Sequence, residues 1–352
     1  MNKAKKWIHI LRTGNLPLGQ DMDWVSKWLI ITRACVFTMT LLSAGIGILL
    51  AMRDSDVRWM DAFLVVTGLL LAHAANNMVN DFFDQRTGVD TEEYPRAAYA
   101  PHPLLHHLVS KEGLLAAILL CNVADLIIAV KLSLSSGWPV MGFAVAGLFL
   151  SVAYVAPPFR LKARGWGEAA IFLIWGPLMT VGTYYVLARQ APMGVWLASI
   201  PYGLAVTTVI LGKHLDKADM DSRKGIRTLP VLLGKHRALA ATEMLVWGFY
   251  LTLAFLAGAA LLPKSSLLVF FSLPQATRFL QTLRQDMPRT PSEAFEQSSD
   301  CIPKDLRDAF NPSLEPSSYP LWPLWYVVWS IWWVRQAGAW FLVGLLLASW
   351  TG

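Results

Sequence analysis

The sequence predicts an all-α polytopic membrane protein of about nine transmembrane helices packed as a bundle. Three observations predict it. The 352-residue chain is 55% hydrophobic, with a mean hydropathy of +0.44. Only 15% of its residues are charged, against about 25% in a soluble domain. Its apolar residues gather in stretches near the roughly 20 that a bilayer-crossing helix needs.

Taken in order, MNKAKKWIHILRTG is basic, with no apolar run and small-residue cleavage site directly behind it. It reads as a mature cytoplasmic end rather than a signal peptide. Spans are expected at about 27–52, 57–79, 112–132, 138–157, 167–188, 193–213, 238–262, 265–281 and 321–350. The eighth is short. The ninth is long enough for two elements, and its LWPLWYVVWSIWWV reads as an interfacial aromatic belt. The tract 282–320, Pro/Ser-rich and polar, reads as a loose cytoplasmic loop without a site. Residues 1–352 then form one domain: two four-helix halves (about 27–157 and 167–281), the loop, and the final span.

Lys and Arg orient these spans. With the N-terminus inside, the segments 1–27, 80–111, 158–166, 213–237 and 278–320 hold 23 of the 30 basic residues. The outside loops hold five: Arg53, Arg58, Lys131, Arg189 and Lys264. That excess marks the inside as cytoplasmic. The net charge of +6 is spread among apolar spans, so it excludes a nucleic-acid docking face. Cys35, Cys121 and Cys301 lack metal-type spacing.

Three polar segments carry chemistry, all on that one side. In NNMVNDFFDQRTGVD, Asn80 and Asp84 are four apart and share a helix face; Asp81 points elsewhere. Gly88 turns the chain and Asp90 follows. Such hard oxygen donors suit Mg²⁺, which takes one or two carboxylates and shares phosphate oxygens with its substrate. In GKHLDKADMDSRKGIRTLPVLLG, Asp216, Asp219 and Asp221 stand among Lys213, Lys217, Arg223, Lys224 and Arg227. Two carboxylate sets with metal ions and Lys/Arg form a clamp for one diphosphate. In AYVAPPFRLKARGWGE, Pro157 and Pro158 stop a helix, with Tyr154 before the break and Arg160, Lys162 and Arg164 after it. His73 reads as a satisfied interior group, and His102, His106 and His107 as loop residues. The acidic segments follow the second and sixth spans, an organisation of two related halves facing one cavity, with little residue-level identity between them.

Together NDFFD…GVD, YVAPPFRLKARGWGE and DSRKGIRTLPVLLG resemble the signatures of the UbiA superfamily of intramembrane prenyltransferases, over roughly residues 28–262. The gap from Asp84 to Asp90 and WGPLMTVGTYYV resemble its naphthoate branch, which makes menaquinone precursors. The resemblance implies a helical bundle around a central cavity open to the lipid bilayer. It also implies Mg²⁺-dependent transfer of a polyprenyl group, an alkyl transfer other than methyl, from a polyprenyl diphosphate to an aromatic, naphthoate- or quinol-type acceptor. The place implied is the bacterial cytoplasmic membrane, with the site facing the cytoplasm. Asn80, Asp84 and Asp90 match the first motif, Asp221 the last Asp of the second, and Lys162 with Tyr154 the basic position at the diphosphate. Asp84, Asp221 and Lys162 are the expected catalytic residues, with Arg160, Lys213 and Arg223 as further diphosphate contacts.

Two departures stand out. The second motif has two Asp four apart in the family, and position 217 is Lys here. Asp216 or Asp219 must then supply the missing metal ligand. Neither shares the Asp221 face of a continuous helix, Asp216 lying about 140° away. The backbone is therefore expected to leave regular helix between 213 and 221, returning Asp216 to the metal and leaving Asp219 to pair with Arg223 or Lys224. The loop after Asp90 also diverges, over the place where the acceptor enters. The Asp motifs leave open a membrane terpene cyclase, which performs the same ionisation without an acceptor. A transporter fits less well, since its charges would reach the midplane.

Overall fold

The computed structural model describes residues 2–17, 19–311 and 322–351. Among them every regular element is helical. The long helices are α1 (Phe37–Asp54), α2 (Trp59–Arg86), α3 (Lys111–Ser136), α4 (Pro139–Val155), α5 (Gly167–Ala188, with a π turn at Ile174–Leu178), α6 (Met193–Leu215) and α7 (Lys235–Gly258). Then come α8 (Leu273–Leu283), entered through a 3₁₀ stretch at Lys264–Ser272, and α9 (Tyr326–Thr351). Among the described residues seven spans are long and apolar enough to cross a membrane, and α4 is a shorter apolar helix. Apolar side chains such as Leu119, Leu120, Ile127 and Leu134 stay exposed along α3, as lipid-facing positions do when the solvent is hydrocarbon.

The chain departs from the expected spans at both ends. The first does not start near 27. Trp24–Ile31 is a separate helix, and Arg33 breaks the path in a left-handed conformation (φ 53°), which lets its guanidinium reach Asp81. The Trp-rich ninth span is one helix and not an interfacial belt. Trp325, Trp329 and Trp333 are buried, because a four-residue spacing puts them on one face. Trp333 packs on Phe249, Tyr250 and Phe279.

The tract after 282 is not a loose loop throughout. It forms a helix at Pro291–Ser298, capped by the Thr290 hydroxyl, and buries Ala294, Ile302, Leu306 and Phe310; 312–321 lie outside the described residues. α2 has 28 residues, about 42 Å at 1.5 Å per residue, against a hydrocarbon layer of about 30 Å. Its last turns therefore project beyond the apolar layer, at the end where α4 and α6 also finish.

Candidate active site

At that end α2 presents Asn80, Asp81 and Asp84, all buried. Gly88, at φ 72°, reverses the chain, and the Val89 and Asp90 amides donate to the Asp84 carbonyl at 2.8 and 3.1 Å. The turn folds Asp90 back against the helix end. Pro157 and Pro158 have ended α4, and a 3₁₀ turn at Leu161–Arg164 aims Lys162 inward. Its ammonium donates to both Asp84 oxygens at 2.6 and 2.5 Å and to Asn80 Oδ1 at 3.3 Å. Gly167 permits this docking: a Cβ there would lie 3.2 Å from Lys162 Cα and from Tyr154 Cε2. Tyr154 is buried beside it.

Asp81 does face away from Lys162, and it is not idle. It is fully buried and ion-paired to Arg33 and Arg96. His102 lies in the loop as expected, but it is fully buried there, with Nε2 3.3 Å from Asp90 Oδ2. Burial alone would raise the Asp90 carboxyl, but the His102 hydrogen bond and the Lys162 and Lys217 charges hold it below the usual carboxylate range. Asp81, Asp90 and His102 have ligand atoms within 4.8 Å of one another, yet Asp81 already carries two guanidiniums.

On the far side α6 stops at Leu215 and a short helix restarts at Ala218–Arg223. Regular helix does break between 213 and 221, but the break sends Asp216 outward. Its carboxylate accepts the amides of Tyr326 and Val327 at 2.8 and 3.1 Å, capping α9, whose first N–H groups have no helical partner. Asp216 is thus not brought to Asp221. Asp219 and Arg223 are exposed, and Asp219 makes no ion pair with Arg223 or Lys224. Arg160 lines a separate surface cleft with Arg164 and Lys224.

The break turns Lys217 inward instead. Its ammonium, buried, donates to Tyr94 Oη at 2.9 Å, and that phenol donates to Asp221 Oδ1 at 2.5 Å. Burial and then the Asp221 charge push the Tyr94 phenol up, so it stays a donor. Lys224 donates to the Gly88 and Val89 carbonyls at 3.1 and 2.6 Å, pinning the first turn to the second. Tyr94, His102 and Arg96 sit in the stretch that diverges from the family pattern. Their only signal was a polar loop between two motifs.

Two cavities meet here, sharing His73, Asn76 and Trp175. One is lined mainly by apolar residues of α2, α3, α4 and α5. The other reaches Asn80, Tyr154, Lys213, Arg33, Arg96 and Tyr99. Lys213 shows no hydrogen bond or ion pair with any described residue and lines the second cavity. His73 is buried, 2.8 Å from the Thr40 hydroxyl.

Fold and site thus define an all-helical membrane protein with acid–lysine chemistry at the mouth of an apolar chamber. The model of the UbiA prenyltransferase family matches residues 39–297. The chain belongs to this family, as the sequence motifs had indicated, and is a prenyltransferase. It is 24% identical over 282 residues to a 2-carboxy-1,4-naphthoquinone phytyltransferase of Synechocystis, covering 78% of this chain and 86% of that one. It is 22% identical over 273 residues to a 1,4-dihydroxy-2-naphthoate octaprenyltransferase of Bacillus subtilis, covering 76% and 86%. A solved digeranylgeranylglyceryl phosphate synthase superposes with a TM-score of 0.58 at 15% identity, covering 93% of this chain and 100% of that one. A UbiA homolog from Archaeoglobus fulgidus bound to GPP and Mg²⁺ gives 0.53 at 14%, covering 90% and 99%; these likenesses concern the fold.

Proposed function

We propose that this protein transfers a polyprenyl group from an allylic diphosphate to an aromatic, naphthoate- or quinol-type acceptor, with Mg²⁺, at the cytoplasmic face of a bacterial membrane. One observation carries the reading. Lys213, with no hydrogen bond or ion pair to any described residue, lines a largely apolar cavity together with Asn80, whose Oδ1 accepts from the Lys162 ammonium that also rests on Asp84. A diphosphate with an isoprenoid tail has matching chemistry: anionic oxygens for the lysines, and a hydrocarbon chain for the cavity between α2 and α5. The names of the two naphthoate-processing relatives support the acceptor class.

The donors fit a hard divalent ion. Asn80, Asp84 and Asp90 offer oxygens only, and a cation, the Lys162 ammonium, already rests on both Asp84 oxygens. Once bound, the ion would stabilise the charge growing on the leaving diphosphate. Lys162 and Lys213 bind the same oxygens from the protein side. As the allylic C–O bond breaks, the apolar wall keeps water from the carbocation. The ring carbon of the acceptor, held in the cavity lined by Arg33, Arg96 and Tyr99, attacks it. The ring hydrogen then leaves as a proton.

Incubating the purified protein with geranylgeranyl diphosphate and a panel of ring acceptors, with and without Mg²⁺, tests this by mass spectrometry. A prenylated ring formed only with Mg²⁺ is expected. A cyclised hydrocarbon formed equally well without any ring would replace the transferase with a cyclase.

A further inference from the structure

The two acidic segments contain the same turn. In the first, Asp84 is followed four residues later by Gly88 (φ 72°), and the Val89 amide donates back to the Asp84 carbonyl at 2.8 Å. In the second, Asp221 is followed four residues later by Gly225 (φ 67°), and the Ile226 amide donates back to the Asp221 carbonyl at 2.8 Å. DQRTGVD and DSRKGIR are therefore one motif used twice, and Val89 and Ile226 fall in one small apolar cluster with Tyr94.

This correspondence aligns side chains. Lys217 stands four before Asp221 as Asn80 stands four before Asp84, and Arg227 stands where Asp90 does. The first segment thus offers three oxygen donors, and the second keeps one carboxylate with two cations in the other places. Asp221 itself is occupied by the Tyr94 hydroxyl at 2.5 Å and the Thr228 hydroxyl at 3.4 Å. Among the described residues, the one group of three His, Cys, Asp or Glu side chains with clustered ligand atoms is Asp81, Asp90 and His102, which takes in Asp90 of the first segment and neither Asp84 nor Asp221.

We propose that the site holds a single divalent ion, on the Asn80, Asp84 and Asp90 side, and that the Lys217 ammonium occupies the place of a second ion against the diphosphate. Asp221 then acts as a positioning residue, holding Tyr94 and through it Lys217. The charges agree. Asp84, Asp90 and Asp221 face Lys162, Lys213 and Lys217 and cancel formally. One divalent ion, with the excess charge of Arg33 and Arg96 over Asp81, then matches the roughly three negative charges of a diphosphate ester. A carboxylate at 217 in place of an ammonium would subtract two charges, the charge of one divalent ion.

The inference rests on the function proposed above, and the test separates the two. Equilibrium dialysis of the detergent-purified protein with Mn²⁺ and inorganic pyrophosphate counts ions per chain. One Mn²⁺ per chain is expected. Two would overturn this inference and leave the transferase reading standing, whereas none would overturn both. The Lys217→Met variant, which keeps the stem, should still bind one Mn²⁺ while losing about tenfold or more in pyrophosphate affinity, as for one charge-assisted hydrogen bond. Unchanged pyrophosphate affinity would remove Lys217 from the clamp.

Discussion

Asp81 and Asp84 are three residues apart and have different partners. Asp84 holds Lys162 at the cavity mouth, and Asp81 pairs with Arg33 and the buried Arg96. Spacing alone separated their faces and led to an expectation that Asp81→Ala costs less activity than Asp84→Ala. The arginines add a cost in stability. Removing one partner of a buried ion pair costs about 3–5 kcal/mol, so Asp81→Ala should sharply lower the thermal midpoint in detergent. Asp84→Ala should abolish turnover and, leaving one cation unpaired rather than two, lower the midpoint less. Equal midpoints for the two variants would contradict the assignment. Lys162→Met retains the stem and removes the charge; a rate loss of roughly 10²–10³-fold is expected. Arg164 is exposed in the surface cleft, so Arg164→Ala should change the rate little. Near-normal turnover of Lys162→Met would take it out of the mechanism.

At the scale of the element, the interruption after Leu215 decides which side chains face the chamber. It sends Asp216 to the amides of Tyr326 and Val327 and so ties α6 to α9. Gly212 makes room for the contact: a Cβ there would come within 3.0 Å of the Tyr326 backbone. Burial pushes the Asp216 carboxyl up to about 7, against the Val327 and Tyr326 amides. An acid raised in this way keeps its proton in the folded state while the unfolded chain has lost it, so stability falls as pH rises from about 4 to 7. Thermal unfolding at pH 5 and pH 8 should show the wild type losing more of its midpoint than Asp216→Asn. A parallel pH dependence in both would assign the effect elsewhere.

At the scale of the molecule, the helices enclose two largely apolar cavities that share His73, Asn76 and Trp175, with buried charges gathered at one end. Gly147 on α4 lines the apolar cavity, and a Cβ there meets nothing within 4 Å. Gly147→Phe should therefore fill the chamber without unfolding it. In competition assays it should shift preference from geranylgeranyl toward geranyl diphosphate, and an unchanged product ratio would mean that the tail runs elsewhere. Chelation should stop turnover and Mg²⁺ restore it, because the proposed donors are all oxygen. Full activity after exhaustive chelation would dissociate the Asn80, Asp84 and Asp90 set from metal.

What the sequence determined by itself is what local pattern controls. Apolar runs near bilayer length imply helices, because only helices and closed barrels satisfy backbone groups in lipid. A helix-spaced Asn80/Asp84 pair and a proline-stopped Lys162 arrive at the same end, because successive helices alternate direction. The motifs named the family for the same reason: they are contiguous. Tertiary structure decided which of several nearby charges occupies the site. Tyr94 meets Asp221 across 127 positions, and Asp216 meets Tyr326 across 110. Neither partner is visible in local spacing. The tryptophans of α9 are core rather than belt because α7 and α8 pack on that face, and His102 is buried because the loop folds over Asp90. A helix break changes side-chain direction by an angle that periodicity does not specify, so the inward turn of Lys217 emerged only with the packed bundle.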